Sequence, residues 1–435
     1  MRNRTWARFV ATAALALFGM TSARARDDTP EPAAPLDASA IATLVDRLAH
    51  GTGEERDAAH KALGRGGKAV VAPLIAVLKG TDSTAGAWAA EALALVGPDA
   101  VDAAEALTVG LGRDGMDWPC ANALEALGAP GIPGLLRALA FERAGSRQAA
   151  LVSLAKVGPL PQSALAALSK SATAPEEEIR SGAAAAIAKV DAPPSALRNA
   201  LASLVADAST DVRATVARSL SAATGQEPGA VRLLALLAGD PDEYVRMTAT
   251  SEIARVPRSD DDAETCLNTL ARGVADRTAH VRAAAIEAYA ASRLDDERLR
   301  AQIASLSDDP DANVRLEGLR MLGLAKIVDD AGRARLERAL SDPDSGVRVV
   351  ASAARARLGI EVERALDFLF GEEGIYHANE WVRNEVVRAA GELGPASAAA
   401  RKRLEHVRLD RSDEFRKAAE AAIERLDAAT KPTKK

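Results

Sequence analysis

Residues 276–286, Asp-Arg-Thr-Ala-His-Val-Arg-Ala-Ala-Ala-Ile, decide the fold. An acid, Asp276, stands six residues before Arg282, and the Val281-Arg282 pair opens a run of small apolar residues. The same pair returns as Val212-Arg213, Val245-Arg246, Val314-Arg315 and Val347-Arg348, and successive pairs lie 33, 36, 33 and 33 residues apart. Upstream stand Ile179-Arg180 and Ser146-Arg147; downstream stand Val382-Arg383 and Phe415-Arg416. Glu55-Arg56 opens the first unit, and Ala85-Gly86 and Met116-Asp117 take the same place in units that end at Gly97 and Gly128. Self-similarity at such a period is the signature of a repeat array.

Within a unit the periodicity is helical. Small residues recur four positions after the Val (Ala89, Ala150, Ala183, Ala249, Ala351), and larger apolar ones often recur eight after it (Leu93, Leu154, Ile187, Leu220, Ile253). Offsets of zero, four, eight and eleven make one stripe on a helix. Ahead of each pair lies another apolar stripe, such as Leu233, Leu234 and Leu237, followed by a polar turn such as Asp240-Pro241-Asp242 or Asp342-Pro343-Asp344. Proline and aspartate there stop one helix and cap the next. The expected fold class is therefore all-α: a right-handed α-solenoid of about twelve antiparallel helix pairs over residues 38–427. No pair can bury both its faces alone, so neighbours share stability.

Composition agrees. Only 3% of the 435 residues are aromatic while 48% are hydrophobic, so the core must be built of Ala, Leu and Val rather than large rings. Arg2, Arg4 and Arg8, the uncharged run Phe9 to Met20 and Ala23-Arg24-Ala25 read as a secretory signal over residues 1–25. The run is too short to span a bilayer, so an exported, periplasmic or extracellular protein without stable membrane insertion is expected. Residues 26–37 form a proline-bearing linker and 428–435 a basic tail. Removing Arg2, Arg4, Arg8 and Arg24 takes the formal net charge from −6 to −10, a poor match for nucleic acid. Cys120 and Cys266 are far apart in sequence, and core packing is the simpler reading than a disulfide.

With its Asp-x5-Arg pattern and its Val281-Arg282-Ala283-Ala284-Ala285 core, the chain resembles the HEAT-repeat family, particularly the bacterial branch related to phycobilin-lyase-type repeats. The Thr-Pro-Leu-His turn of ankyrin units is absent, and aromatics are too few for tetratricopeptide units. The resemblance implies that acid and arginine link neighbouring repeats in a ladder. The matching residues are Asp207 and Arg213, Asp240 and Arg246, Asp276 and Arg282, Asp309 and Arg315, Asp342 and Arg348, and Asp410 and Arg416. His50, Gly80, Leu111, Phe141 and Ala174 replace the acid in the N-terminal half and His377 replaces it in the eleventh unit, so an incomplete ladder is expected there.

No metal, cofactor or catalytic constellation emerges. His50, His60, His280, His377 and His406 are scattered, and the His-Glu dipeptides by which a HEAT-repeat hydroxylase holds iron do not occur. Gly64 to Lys68 lacks the spacing of a phosphate loop and reads as a helix end. Ser259 to Asp262 reads as a helix start rather than a calcium loop. Two departures from the repeat stand out: Trp88 and Trp118, where the ladder arginine is lost, and Tyr376 and Trp381 in a lengthened turn. Large aromatics are typical anchors, although they fill space equally well. The expected function is a monomeric, non-catalytic scaffold holding a protein or peptide on its concave face. The alternative is an enzyme, or accessory subunit, of the bilin-lyase-like class.

Overall fold

The structure, a computed structural model, describes residues 36–223, 229–256, 260–324, 329–377, 380–393, 398–407 and 413–430. The expected signal 1–25, most of the linker, Asp410 and residues 431–435 lie outside these. The described residues fold into paired helices. The first helices of the pairs are α1 (Ala38–His50), α3 (Val71–Lys79), α5 (Ala104–Leu111), α7 (Ile132–Ala138), α9 (Ala164–Ser171) and α11 (Pro194–Ala202). They continue as α13 (Ala230–Leu237), α15 (Asp260–Val274), α17 (Glu297–Ser305), α19 (Asp330–Ala339), α21 (Val362–Leu369) and α23 (Ala398–Val407). The second helices are α2 (Gly53–Leu63), α4 (Ser83–Val96), α6 (Asp117–Ala126), α8 (Ala144–Lys156), α10 (Glu177–Ile187) and α12 (Thr210–Ala223). After them come α14 (Glu243–Ile253), α16 (Ala279–Ser292), α18 (Ala312–Leu324), α20 (Ser345–Arg357), α22 (Glu380–Gly391) and α24 (Asp413–Thr430).

The starts of the second helices follow from the polar turns. Asp82, Asp242 and Asp344 stand at the N-caps of α4, α14 and α20, and their carboxylates accept from backbone N–H groups of the first turn. Thr52 and Glu55 make a reciprocal capping box on α2, which satisfies two of the orphan donors at the helix start. Gly64 closes α2, and Gly67 follows with φ +57°, a left-handed conformation that explains the glycine run. Asp260 opens α15, in line with the helix-start reading of that acidic run.

Second helices pack extensively on the second helices before and after them and most also on their own first helix, whereas the first helices touch one another only lightly; α21 is the exception, packing on the preceding α20 rather than on α22. Small residues permit this close approach. A Cβ on Gly323 of α18 would meet Ala354 Cα of α20 at 2.8 Å, and one on Gly391 of α22 would meet Ala422 Cβ of α24 at 2.9 Å. The first-helix layer is open by comparison. Clefts of about 690 Å³ between α3 and α5 and about 640 Å³ between α1 and α3 lie in it. A stack that is tight on one side and splayed on the other curves toward the tight side, so the second helices line the concave face.

The core is segmented. One cluster runs from Ile41 to Met321, a second from Ala304 to Ala354 and a third from Val349 to Leu426. No described helix is long and apolar enough to cross a membrane.

Candidate functional site

The charged residues that recur with the repeat are the first to place. Arg213 donates through Nε and Nη2 to both carboxylate oxygens of Asp240, at 2.6 and 2.9 Å, and through Nη1 to the backbone carbonyl of Asp207 at 2.8 Å. Arg246 repeats this with Asp276 and the carbonyl of Asp240, Arg282 with Asp309 and the carbonyl of Asp276, and Arg315 with Asp342 and the carbonyl of Asp309. The acid six residues before an arginine thus offers that arginine only its main chain. The carboxylate comes from the following unit, 27 residues on in most cases and 30 for Arg246. Each carboxylate also accepts from a backbone N–H two residues on, as Asp240 does from Asp242. In Asp240-Pro241-Asp242 the first acid therefore grips the preceding unit, and the second caps α14.

The units that lack the acid are linked by substitutes. Arg147 donates to the carbonyls of Phe141 and Glu142 and to the Glu176 carboxylate, two residues beyond the vacant position at Ala174. Arg180 takes Asp207 at 2.7 and 2.9 Å and the carbonyl of Ala174. In the third unit the charge is inverted: Asp117, at the arginine position and nearly buried, accepts from Ser146 Oγ at 2.5 Å and from Arg143 at 3.1 Å. Toward the C-terminus Arg348 bonds the half-exposed Glu373 while keeping the carbonyl of Asp342, and Arg383 donates to the carbonyl of His377. His377 Nε2 lies 2.9 Å from Ser345 Oγ, joining the two turns where the acid is missing. Arg416 lies close to Asp413 on its own helix, while Asp410 is outside the described residues.

The second helices turn their third, sixth and tenth residues after the Val position away from the first helices. In the middle of the chain most of these are small or uncharged, as with Gly182, Ala185, Thr215 and Ser251, with Lys189 and Arg218 as charged exceptions. Further on they are charged, as with Arg255, Glu287, Glu317, Arg320, Glu385 and Arg388. Glu317 pairs with Arg320 on α18 and Glu385 with Arg388 on α22. Arg320 also feels Glu385, two units away across α20, where the inner positions are Val350 and Ala353. That reach follows from the curvature.

The four aromatics fall into different settings. Trp88, at an inner position of α4, is half-buried against the core with its ring 5.1 Å from that of His60 on α2. Trp118 is 44% exposed at the start of α6. Tyr376 and Trp381 are 76% and 41% exposed, and Trp381 lies over Gly346, where a Cβ would meet its Cζ3 at 3.5 Å. Ser345, His377 and Trp381 are therefore gathered at one edge, beside α20. Cys120 and Cys266 are buried on α6 and α15 and no disulfide joins them; burial pushes the Cys120 thiol up to about 12. Among the described residues no cluster of three or more His, Cys, Asp or Glu is arranged to hold a metal. Sequence reasoning missed Arg143, Glu176 and the linking role of Asp117. Only Asp117, standing where an arginine was due, carried a visible signal.

Residues 165–254 match the family model for HEAT repeats. No curated protein sequence is significantly similar to the chain. Among solved structures, yeast importin-beta (Kap95p) is similar at 11% identity with a TM-score of 0.55, over 90% of this chain and 60% of that one. A Kap95:Nup1 complex is similar at 13% identity and a TM-score of 0.54, over the same shares of the two chains. Kap121p bound to Pho4p is similar at 12% identity and a TM-score of 0.50, over 90% of this chain and 49% of that one. The chain thus spans about half to three-fifths of these proteins, and the likeness establishes a HEAT-repeat solenoid fold.

Proposed function

We propose that this HEAT-repeat solenoid is a non-catalytic, monomeric scaffold that holds a protein or peptide segment along the concave face of its second helices, in an exported compartment. The observation that carries the reading is the inner stripe itself. The fold uses the other faces of the second helices for packing and for the arginine links, and leaves part of this stripe open for contact, at Val152, Gly182, Ala185, Thr215 and Ser251 among others, while Val350 and Ala353 are buried. Two of the similar solenoids are held with protein partners, Kap95 with Nup1 and Kap121p with Pho4p. The N-terminal Arg-rich, apolar and Ala-x-Ala pattern supports export. The acidic balance argues against nucleic acid. An enzyme of the bilin-lyase-like class needs a reactive thiol or an acid–base pair; a buried Cys120 whose thiol ionises only near 12 is a poor nucleophile.

The test places a photo-crosslinking residue at Val152 or Ala185 on the inner stripe, and at Val109 or Leu236 on the first helices, in mature protein exposed to its own periplasmic fraction. Adducts confined to the inner positions are expected. Adducts from Val109 or Leu236 alone would overturn the reading.

A further inference from the structure

From α6 to α14 the inner stripe carries no acid. Its charged residues are Lys156 on α8, Lys189 in the turn that closes α10, Arg218 on α12 and Arg255 on α14, all cations in a chain whose formal net charge is −6. Acids return on either side, with Glu91 on α4 and Glu287 on α16. The two outer cations are neutralised. Lys156 Nζ lies 3.8 Å from the Glu125 carboxylate, and Arg255 Nη1 lies 2.6 Å from that of Glu252. The two central ones are not. Lys189 is exposed, and among the described residues its ammonium has no hydrogen-bond or ion-pair partner, Asp191 two residues on included. Arg218 is exposed but held in place. Its Nη1 donates to Tyr244 Oη of α14 at 3.2 Å and its Nη2 to Thr215 Oγ1 at 3.0 Å, while Thr215 Oγ1 lies 3.1 Å from Ser181 Oγ of α10. Neutral hydroxyls from neighbouring helices thus fix the guanidinium and leave its charge uncompensated. The later arginines of the stripe, Arg255, Arg320, Arg357 and Arg388, each have a carboxylate; Arg218 has none among the described residues.

We infer that the concave face of α10 and α12 receives an acidic stretch of the bound segment, whose Asp or Glu carboxylates meet Lys189 and Arg218. The inference rests on the scaffold reading above and names the chemistry of the partner on that face. The floor between the two cations is Gly182, Ala185 and Thr215, so no bulky side chain stands in the way of a bound main chain. The helices lie side by side, since α10 packs more extensively on α8 and α12 than on its own first helix. Neighbouring axes are about 8–10 Å apart and an extended chain advances about 3.3 Å per residue. A run of about four or five residues therefore reaches from Lys189 to Arg218. The guanidinium is planar and suits a carboxylate, and being already held by hydroxyls it loses little further freedom on binding one. A short acidic peptide fits better than a nucleic acid. Tight binding of a polyanion needs many cations, and here Glu91 and Glu287 bound the positive stretch on both sides.

The experiment titrates octapeptides of Gly and Ser, with glutamate at alternate positions or glutamine in its place, with the mature protein at low salt. Each carries an uncharged fluorophore, and alternate side chains of an extended chain point to one side. The glutamate peptide is expected to bind about tenfold tighter than the glutamine peptide, and the ratio to shrink as salt is added. Lys189→Gln combined with Arg218→Gln is expected to erase the preference, whereas Arg218→Lys alone keeps most of it. Lys170→Gln combined with Arg232→Gln makes the same change of net charge at exposed positions of α9 and α13 and should leave the preference in place. Equal losses in the two double variants, or no glutamate preference in the wild type, would overturn the inference. So would an oligothymidylate that binds as tightly as the glutamate peptide and loses its affinity in the same variant, since the face would then be a phosphate site. Any of these results leaves the scaffold reading standing if inner-face crosslinks form, whereas outer-face crosslinks alone sink the scaffold reading itself. An unfolding midpoint close to wild type shows that the first double variant is folded. Should it unfold, Lys189→Gln alone, which breaks no contact, is expected to cut the preference about threefold, and an unchanged preference there overturns the inference.

Discussion

At the scale of single residues, the arginine that marks most units is a clamp with two jaws. One jaw holds its own turn by the main chain, the other the next unit's turn by a carboxylate. Arg213 and Asp240 are both largely shielded from solvent, at 12% and 6% side-chain exposure. Removing the guanidinium as Arg213→Ala leaves Asp240 without its strongest donor, and a loss of about 1.5–3 kcal/mol is expected in urea unfolding. Arg348→Ala should cost less, because the Glu373 carboxylate it releases is half exposed and rehydrates. The acids also set a pH dependence. Hydrogen bonds from Arg180 outweigh burial and hold the Asp207 carboxyl below the usual range. A depressed native value means that this stabilisation is complete above the unfolded value of about 3.9 and is lost as pH falls through the native one. Unfolding midpoints measured from pH 6 to pH 3 should decline below about pH 4 in the wild type and decline less in Arg180→Ala. For the aromatics, Trp88→Ala should cost more stability than Trp118→Ala, since only Trp88 is packed against the core.

At the scale of helices, the contact that matters is second helix on second helix, and glycine controls its distance. Gly323→Ala would force a methyl to within 2.8 Å of Ala354 Cα, so overpacking by about 1–3 kcal/mol is expected despite alanine's better helix propensity. Gly53→Ala is the control: nothing lies within 4 Å of that position on α2, so the variant should be neutral or slightly stabilised. Hydrogen exchange in α18 and α20 is the measurement, with faster exchange expected only in Gly323→Ala. Periodicity made these helices legible in the sequence, because the stripe and the Asp-Pro-Asp turns are local signals. Which acid an arginine meets was not legible. That choice depends on how units stack, and a spacing of six residues looks like a partnership until the helix between them is built. Glu176 likewise could be recognised as a substitute only once the turn brought it under Arg147.

At the scale of the whole molecule, contacts run between neighbouring units and the core divides near α18 and α20. Stability of this kind is a sum over units and their interfaces, and need not be lost all at once. Thermal unfolding followed by hydrogen exchange should show α22 and α24 opening before α10 to α14. A single transition shared by all helices would contradict the segmented core. The chain should also be elongated, with a scattering radius of gyration well above the ~22 Å of a compact protein of this length.

The two-jawed clamp has a direction, and it sets a timetable for the nascent chain. From Arg180 to Arg315 each ladder arginine becomes available before the acid it needs, which follows 27 residues later between Arg213 and Asp240. At ~5–20 residues per second of synthesis, each unit waits on the order of 1–5 s for the next to emerge. The newest unit on a growing chain is therefore always the one held on one side only. The array closes behind it from the N-terminus, in the order in which it is made.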